Sequence, residues 1–278
     1  MHKVKTAVLA LLSLLVLGAC GSQQASQNEA AAEDSQEIRL ATSPGPYSDL
    51  FLDVVKPILE EEGYKVDTVE FTDLREADVA LEEKAADLNI EQHTLYMENF
   101  NEEKDAHLTN IQPLPTVPMA IFPGQKDSLD SLAEGDQVGV PDDPSNLSRA
   151  LLLLEKEGII KLDPNADKAN LNVENITENP KNVKIEVISS PNLARTTPDL
   201  AIAAIPGSRA FDAGIDFQTA LAYEDVAPEF MLQLVVREED KDKDWVKAVS
   251  QAYKSDQVKD AVEKINQESS QAYWILPE

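Results

Sequence analysis

The chain of 278 residues carries 51 acidic side chains against 24 lysines and arginines, a formal net charge of −27. A folded surface of that sign excludes nucleic acid and anionic lipid headgroups as its partners. One cysteine excludes intrachain disulfides and thiolate-rich metal centres.

That cysteine, Cys20, closes the opening segment. Lys3 and Lys5 give a basic start, "TAVLALLSLLVLGA" is apolar but too short for a lasting membrane span, and the small residues Gly18 and Ala19 stand directly before Cys20. Residues 1–19 therefore read as a lipoprotein signal peptide, cleaved ahead of a Cys20 that is then diacylated. Each methylene buried in the bilayer adds about 0.8 kcal/mol of anchoring. Residues 20–37 read as a lipid-anchored flexible tether: between 21 and 37 nothing aliphatic is larger than alanine. As a flexible coil it holds the folded part about 20–25 Å from the lipid on average. The expected location is the cell membrane, lipid-anchored, on the extracytoplasmic face.

Strand and helix patterns alternate from there. "EIRLAT" predicts a strand that ends at the turn "SPGP" (Ser43 to Pro46). "YSDLFLDVVKPILEEEG" places Leu50, Phe51, Val54, Val55, Ile58 and Leu59 on one helical stripe, with a kink expected at Pro57 and an end at Gly63. "KVDTVEF", "READVALEEKAA" and "ADLNI" follow as strand, helix and strand. "TVPMAIFP" and "DQVGVPDD" are strands on either side of an acidic turn at Asp127–Gly135. "SNLSRALLLLEKEG" is a helix, with Ser145 or Asn146 the expected N-cap. "VKIEVI", "LAIAAI" and "FMLQLVVREED" are further strands, and the last fifty or so residues carry helical patterns around Trp245–Tyr253 and Val258–Ile265.

This alternation predicts parallel sheets with helices on their faces, an α/β fold. With the anchor and tether it points to a substrate-binding protein whose two α/β lobes hinge around a ligand bound beyond the strands' carboxyl ends. "ADLNIEQHTLYM" (residues 86–97) then makes sense as a core strand whose tip, Glu91, Gln92 and His93, protrudes into the cleft. An imidazole there can donate to a ligand or simply cap a helix. Glu91 meets a ligand ammonium or stays wet, because an unpaired carboxylate in a dry cleft costs several kcal/mol. Arg149, early in the 146–157 helix, can grip a carboxylate bidentately beside backbone N–H groups, or lie solvated on the surface. No metal or cofactor is expected, since only His93 and His107 survive processing and no clustered ligands accompany them. No G-x-S-x-G, Walker loop, G-x-G-x-x-G or H-E-x-x-H occurs, so no enzyme is expected.

"SPGP" followed by "VVKPILEEEGYKVDTVEF", then "QHTLYMENFN", "VGVPDDPSNLSRALLLLEKEGIIKL", "ENPKNVKI" and "LVVREEDKD" resemble, in order and spacing, the methionine-binding lipoprotein family (NlpA/MetQ type). The resemblance covers residues 38–278. It implies a two-lobed type II periplasmic-binding-protein fold with a central ligand cleft, lobe 1 from 38–127 and 226–278, and lobe 2 from 128–225. It also implies an amino-acid ligand, methionine or an analogue, an ABC permease and ATPase complex as partner, and a monomer. Arg149 would bind the ligand's carboxylate. His93 and Tyr96 would line its side-chain and amino-group region, the turn Ser43 to Tyr47 would add contacts, and Asn146 would bind the ligand beside Arg149. Four positions depart from the family pattern: Glu91 and Leu74 stand where aromatic residues are usual, Pro206 and Leu232 where asparagines are. These departures leave open whether the ligand is methionine. The alternative is a surface adhesion or interaction lipoprotein that kept the scaffold with a degraded or altered pocket; an extracytoplasmic hydrolase would need a nucleophile and base that the sequence does not show.

Overall fold

The first strand, β1 (Glu37–Thr42), buries Ile38 and Leu40 completely and hands the chain to the turn at 43–45. The computed structural model describes residues 37–72, 74–268 and 273–277. The signal peptide, Cys20 and the tether up to residue 36 lie outside the described residues. After the turn come α1 (Pro46–Leu50), a π-helical stretch at Phe51–Val55, and α2 (Lys56–Glu61). The kink expected at Pro57 takes the form of that widened turn. Pro57 has no N–H to donate one turn back, and in the π-helical stretch Lys56 N–H reaches the Phe51 carbonyl instead.

Then follow β2 (Lys65–Glu70), α3 (Leu74–Glu82), β3 (Leu88–Asn89), α4 (Thr94–Lys104) and β4 (Leu108–Pro113). The middle of the chain supplies β5 (Ala120–Pro123), β6 (Gln137–Pro141), α5 (Pro144–Lys156), β7 (Lys161–Leu162), β8 (Ile176–Glu178), β9 (Lys184–Ile188), α6 (Ser190–Thr196), β10 (Ile202–Ile205), α7 (Gly207–Asp212) and β11 (Ala222–Tyr223). Strand β12 (Gln233–Arg237) and helices α8 (Asp244–Tyr253) and α9 (Asp256–Glu268) complete it.

Two five-stranded sheets organise these elements, ordered β2-β1-β3-β12-β4 and β11-β5-β10-β6-β9. The expectation of parallel sheets needs correcting: both are mixed. β12 runs antiparallel to β3 and β4, and β5 antiparallel to β10 and β11, while β1 with β2 and β3, and β6 with β9 and β10, are parallel. The two reversed strands are the ones that follow each passage of the chain between sheets. Because β5 pairs in the second sheet, the first passage lies between 113 and 120, earlier than the expected change of lobe near 127. The passages are tied together: Leu114 N–H donates to the Leu232 carbonyl (2.7 Å), Leu232 N–H to Thr116 Oγ1 (2.9 Å), and Thr116 also bridges to Ile275.

One apolar cluster runs from Ile38, Leu40 and Phe51 through Val117 to Phe122, Ala203 and Ile205, so the core of the first sheet continues under the second. A separate cluster seats the Leu147, Leu151 and Leu154 face of α5 against Val138, Val140 and Ile202. The N-cap of α5 also differs from expectation: it is Asp143, whose Oδ1 accepts from Asn146 N–H (3.0 Å). Pro144 at the first helical position has its φ already set and needs no amide partner, which moves the start two residues upstream of Asn146.

Candidate ligand-binding cleft

Where the carboxyl ends of strands from both sheets converge lies a cavity of about 250 Å³. The first sheet contributes Ser43–Tyr47 after β1, Leu74 after β2 and Glu91–His93 after β3, with Tyr96 on α4. The second contributes Asp142, Asp143, Asn146 and Arg149 after β6, Ser189–Pro191 after β9, and Pro206–Arg209 with Asp212 after β10. A volume of this size suits one amino-acid-sized solute rather than a long peptide. All seven residues singled out from sequence, Ser43, Tyr47, Glu91, His93, Tyr96, Asn146 and Arg149, line this one cavity, as do the departures Leu74, Pro206 and Leu232.

His93 does two things. It is the N-cap of α4, its Nδ1 accepting from Tyr96 N–H (3.2 Å), and that bond leaves the proton on Nε2. Nε2 is buried without a hydrogen-bond partner among the described residues. Burial, then the Arg149 cation, lower the ring's pKa to about 3 against a small opposing pull from Asn146, so His93 is a neutral donor. Phe230 and Tyr96 meet the ring edge to face at 5.5 and 6.3 Å.

Arg149 lies across the cavity and is already paired. Its Nε approaches both oxygens of Glu224 (2.8 and 2.6 Å), Nη2 contacts Oε1, and both side chains are about 95 % buried. Burial opposes the cation, but the Glu224 carboxylate holds its pKa above the ordinary arginine value. Among the described residues Nη1 keeps only Asn146 Oδ1, at 3.4 Å, and the guanidinium carbon sits 5.9 Å from the Phe230 ring centre. The edge left for a ligand is therefore Nη1 with the Asn146 amide.

Glu91 is held as a carboxylate by three donors: Thr42 Oγ1 (2.6 Å) and Ser43 N–H (2.8 Å) on Oε1, and Ser43 Oγ (2.6 Å) on Oε2. Burial nonetheless raises its pKa, with those donors and Arg209 pulling the other way. Asp212 is pushed to about 6, by burial first and then by Glu91 and Asp49, against the pull of Arg209 3.5 Å away. The sequence reading missed Arg209, Asp212, Asp142, Asp143 and Glu224. The first two carried a usable signal: "PGSRAFD" follows the strand "AIAAI" and so puts Arg209 and Asp212 just past a strand end, as "EQH" follows "ADLNI". Glu224, one acid among 51, carried none. Among the described residues no group of three or more His, Cys, Asp and Glu side chains is arranged to hold a metal ion.

A crevice walled by strand ends of two α/β sheets, with a guanidinium on one side and a neutral imidazole on the other, defines a two-lobed substrate-binding protein. The family model of the NlpA lipoproteins matches residues 38–274. The D-methionine-binding lipoprotein MetQ of Escherichia coli K12 is 32% identical over 268 residues, 95% of each chain. The nutrient-binding protein of Burkholderia cenocepacia bound to methionine superposes with a TM-score of 0.79 at 31% identity, over 85% of this chain and 99% of that one. The substrate-binding protein of a methionine transporter from Streptococcus pneumoniae gives 0.78 at 26%, over 86% and 96%. The chain belongs to the NlpA lipoprotein family.

Proposed function

We propose that the protein is a lipid-anchored, extracytoplasmic solute-binding protein that captures an amino acid, methionine or a related one, and delivers it to an ABC importer without altering it. The observation that carries this is the convergence of both sheets' strand ends on one amino-acid-sized cavity holding Arg149 Nη1, the Asn146 amide and the His93 Nε2 donor. The ligand's carboxylate meets that triad, and Tyr96 and the Ser43–Tyr47 turn flank it. Residues 38 to the first passage, with 233–278, make lobe 1, and β5 to β11 make lobe 2. A ligand that touches both stabilises the closed arrangement by its differential contacts, and the monomeric closed form is what the permease reads. Cys20 carries the acyl anchor. The relatives named for methionine support the ligand class, and the match across nearly their whole length supports the transport role.

The test is calorimetry on protein stripped of bound solute by unfolding and refolding, titrated with the L-amino acids and D-methionine. Saturable binding of an amino acid at micromolar or tighter Kd, lost in Arg149→Ala, is the expected result. Binding of none would turn the reading over to an interaction lipoprotein on a retained scaffold. Intact-mass measurement of the membrane-extracted chain checks diacylation at Cys20.

A further inference from the structure

Besides the self-balanced Arg149–Glu224 pair, the cleft is lined by Glu91, Asp142, Asp143 and Asp212, and these acids are not equivalent. Asp143 is engaged at the start of α5, where its Oδ1 accepts from Asn146 Nδ2 (2.9 Å), Asn146 N–H (3.0 Å) and Ser145 Oγ (3.2 Å). Asp142 Oδ1 accepts from Ser190 N–H (3.0 Å) beyond the end of β9. Both belong to the loop after β6. Glu91 and Asp212 come from different sheets and meet at the turn after β1. Glu91 holds Ser43 through its N–H and its Oγ, and a Cβ on Gly45 would lie 3.0 Å from Asp212 Oδ1. The acid of α7 approaches the turn because Gly45 has no side chain. Among the described residues, donors fill three of the roughly four acceptor positions of the Glu91 carboxylate and leave one open. Arg209 is the guanidinium that faces both acids. It does not suffice for Asp212: burial, then Glu91 and Asp49, push that carboxyl to about 6 against its pull.

An α-amino acid carries its carboxylate and its ammonium on one carbon, so their receptors must border one another. Glu91 and His93 stand two residues apart on the tip after β3, and Tyr47 feels both sides of the cleft. Burial raises the Tyr47 phenol's pKa, while Arg149 draws it down and Glu224 and Glu91 push it up. The side chains of Pro206 and Leu232, elsewhere on the wall, have no acceptor for an ammonium. We propose that, within the amino-acid-binding reading on which this rests, Glu91 and Asp212 are the receptor of the ligand's α-ammonium, gripped from both sheets, while Arg149 Nη1, Asn146 and His93 take its carboxylate. The ammonium brings a donor to the open acceptor position of Glu91 and a positive charge to two acids that share one guanidinium. The ligand's side chain then lies toward Leu74, Tyr96 and Leu232, a wall without charge that suits a thioether.

The comparison titrates L-methionine and its desamino analogue, γ-(methylsulfanyl)butyrate, into the refolded protein. The analogue keeps the carboxylate and the thioether and lacks only the ammonium, so it is expected to bind about tenfold or more weakly than L-methionine. Glu91→Gln and, separately, Asp212→Asn should each weaken L-methionine about tenfold and leave the analogue no weaker than before; two variants guard against one failing to fold. A merely structural role would weaken both ligands alike. That result, an analogue as tight as L-methionine, or a larger loss of L-methionine in Asp142→Asn than in either variant overturns this inference and leaves the importer reading standing. L-Methionine that fails to bind the unaltered chain overturns the methionine reading, and this assignment with it.

Discussion

Glu224→Ala should be among the most destabilising single substitutions in the chain. It removes the carboxylate facing Nε and Nη2 of Arg149, with both side chains about 95 % buried, and takes away the acceptor of Met119 N–H. What remains for the guanidinium is Asn146 Oδ1 at 3.4 Å and the Phe230 face at 5.9 Å. A cation–π contact of that kind contributes about 0.5–2 kcal/mol. Breaking one side of a buried pair costs about 3–5 kcal/mol, because the surviving charge stays desolvated. That is a large share of a total stability of about 5–15 kcal/mol, and at about 2–4 °C per kcal/mol it lowers Tm by roughly 6–20 °C. Urea unfolding followed by circular dichroism measures it. The control is Arg149→Met with Glu224→Leu, which removes both charges and should recover most of the loss. A single variant that loses less than about 1 kcal/mol, or a double variant no better than the single, would refute the claim that the pair's cost of separation lies in an orphaned cation.

Asp212, with a folded pKa of about 6 above an unfolded value near 3.9, contributes stability that is complete below pH 4 and is lost as pH rises through 6. Asp212→Asn should flatten that stretch of the pH–stability curve and exceed the wild type by about 1–3 kcal/mol at pH 7, read by denaturant midpoints across pH 4–8. For His93 the sign is opposite: the neutral ring's contribution is present above pH 6.5 and falls away toward pH 3. Its imidazole nitrogens in NMR should show the neutral Nε2–H form at pH 5, and a protonated ring there would contradict the burial argument. Gly207→Ala should cost about 1–3 kcal/mol or more, because its Cβ would meet the Pro118 and Val117 carbonyl oxygens at 2.6 and 2.7 Å and backbone cannot swing aside; an unchanged urea midpoint would show that the passage between sheets yields.

The strands whose apolar residues are short and flanked by turns, β1, β6 and β10, could be read from sequence, and so could the polar groups at their ends. That is why Glu91, His93 and Arg149 were legible as cleft candidates from the residues themselves, whereas Tyr96, the Ser43–Tyr47 turn and Asn146 came from the family resemblance. β4 escaped because its inward face carries Gln112, buried and bonded to Ser250 Oγ (2.7 Å) and to the Ser250 carbonyl (3.1 Å), which breaks the apolar alternation a strand is recognised by. Strand direction escaped for a different reason. Periodicity says which face is buried, not which way the chain runs, so nothing in "FMLQLVV" or "MAIFP" marks a reversed strand. The Glu224 partnership is long-range, 75 residues from Arg149, and has no local signature.

The same long-range ties locate where closure can act. Tyr47, beside the cleft, accepts from Val117 N–H (3.2 Å) in the first passage, Thr116 is bonded to Leu232 and Ile275, and the apolar core runs unbroken beneath. The two sheets are therefore fastened along one line and free to change their spacing only on the side where the strand ends open. In the proposed closure, displacement grows with distance from that line. Val117 and Tyr47 stay in register while α7, with Arg209 and Asp212, travels against the Gly45 turn and Glu91. Glu91 and Asp212 thus occupy the part of the cleft that this closure moves most, and their mutual repulsion favours separation until the ammonium of an amino-acid ligand lies between them. A ligand bearing that cation does more than fill the cavity: it removes the force that holds it open, which is the differential interaction a closing equilibrium requires.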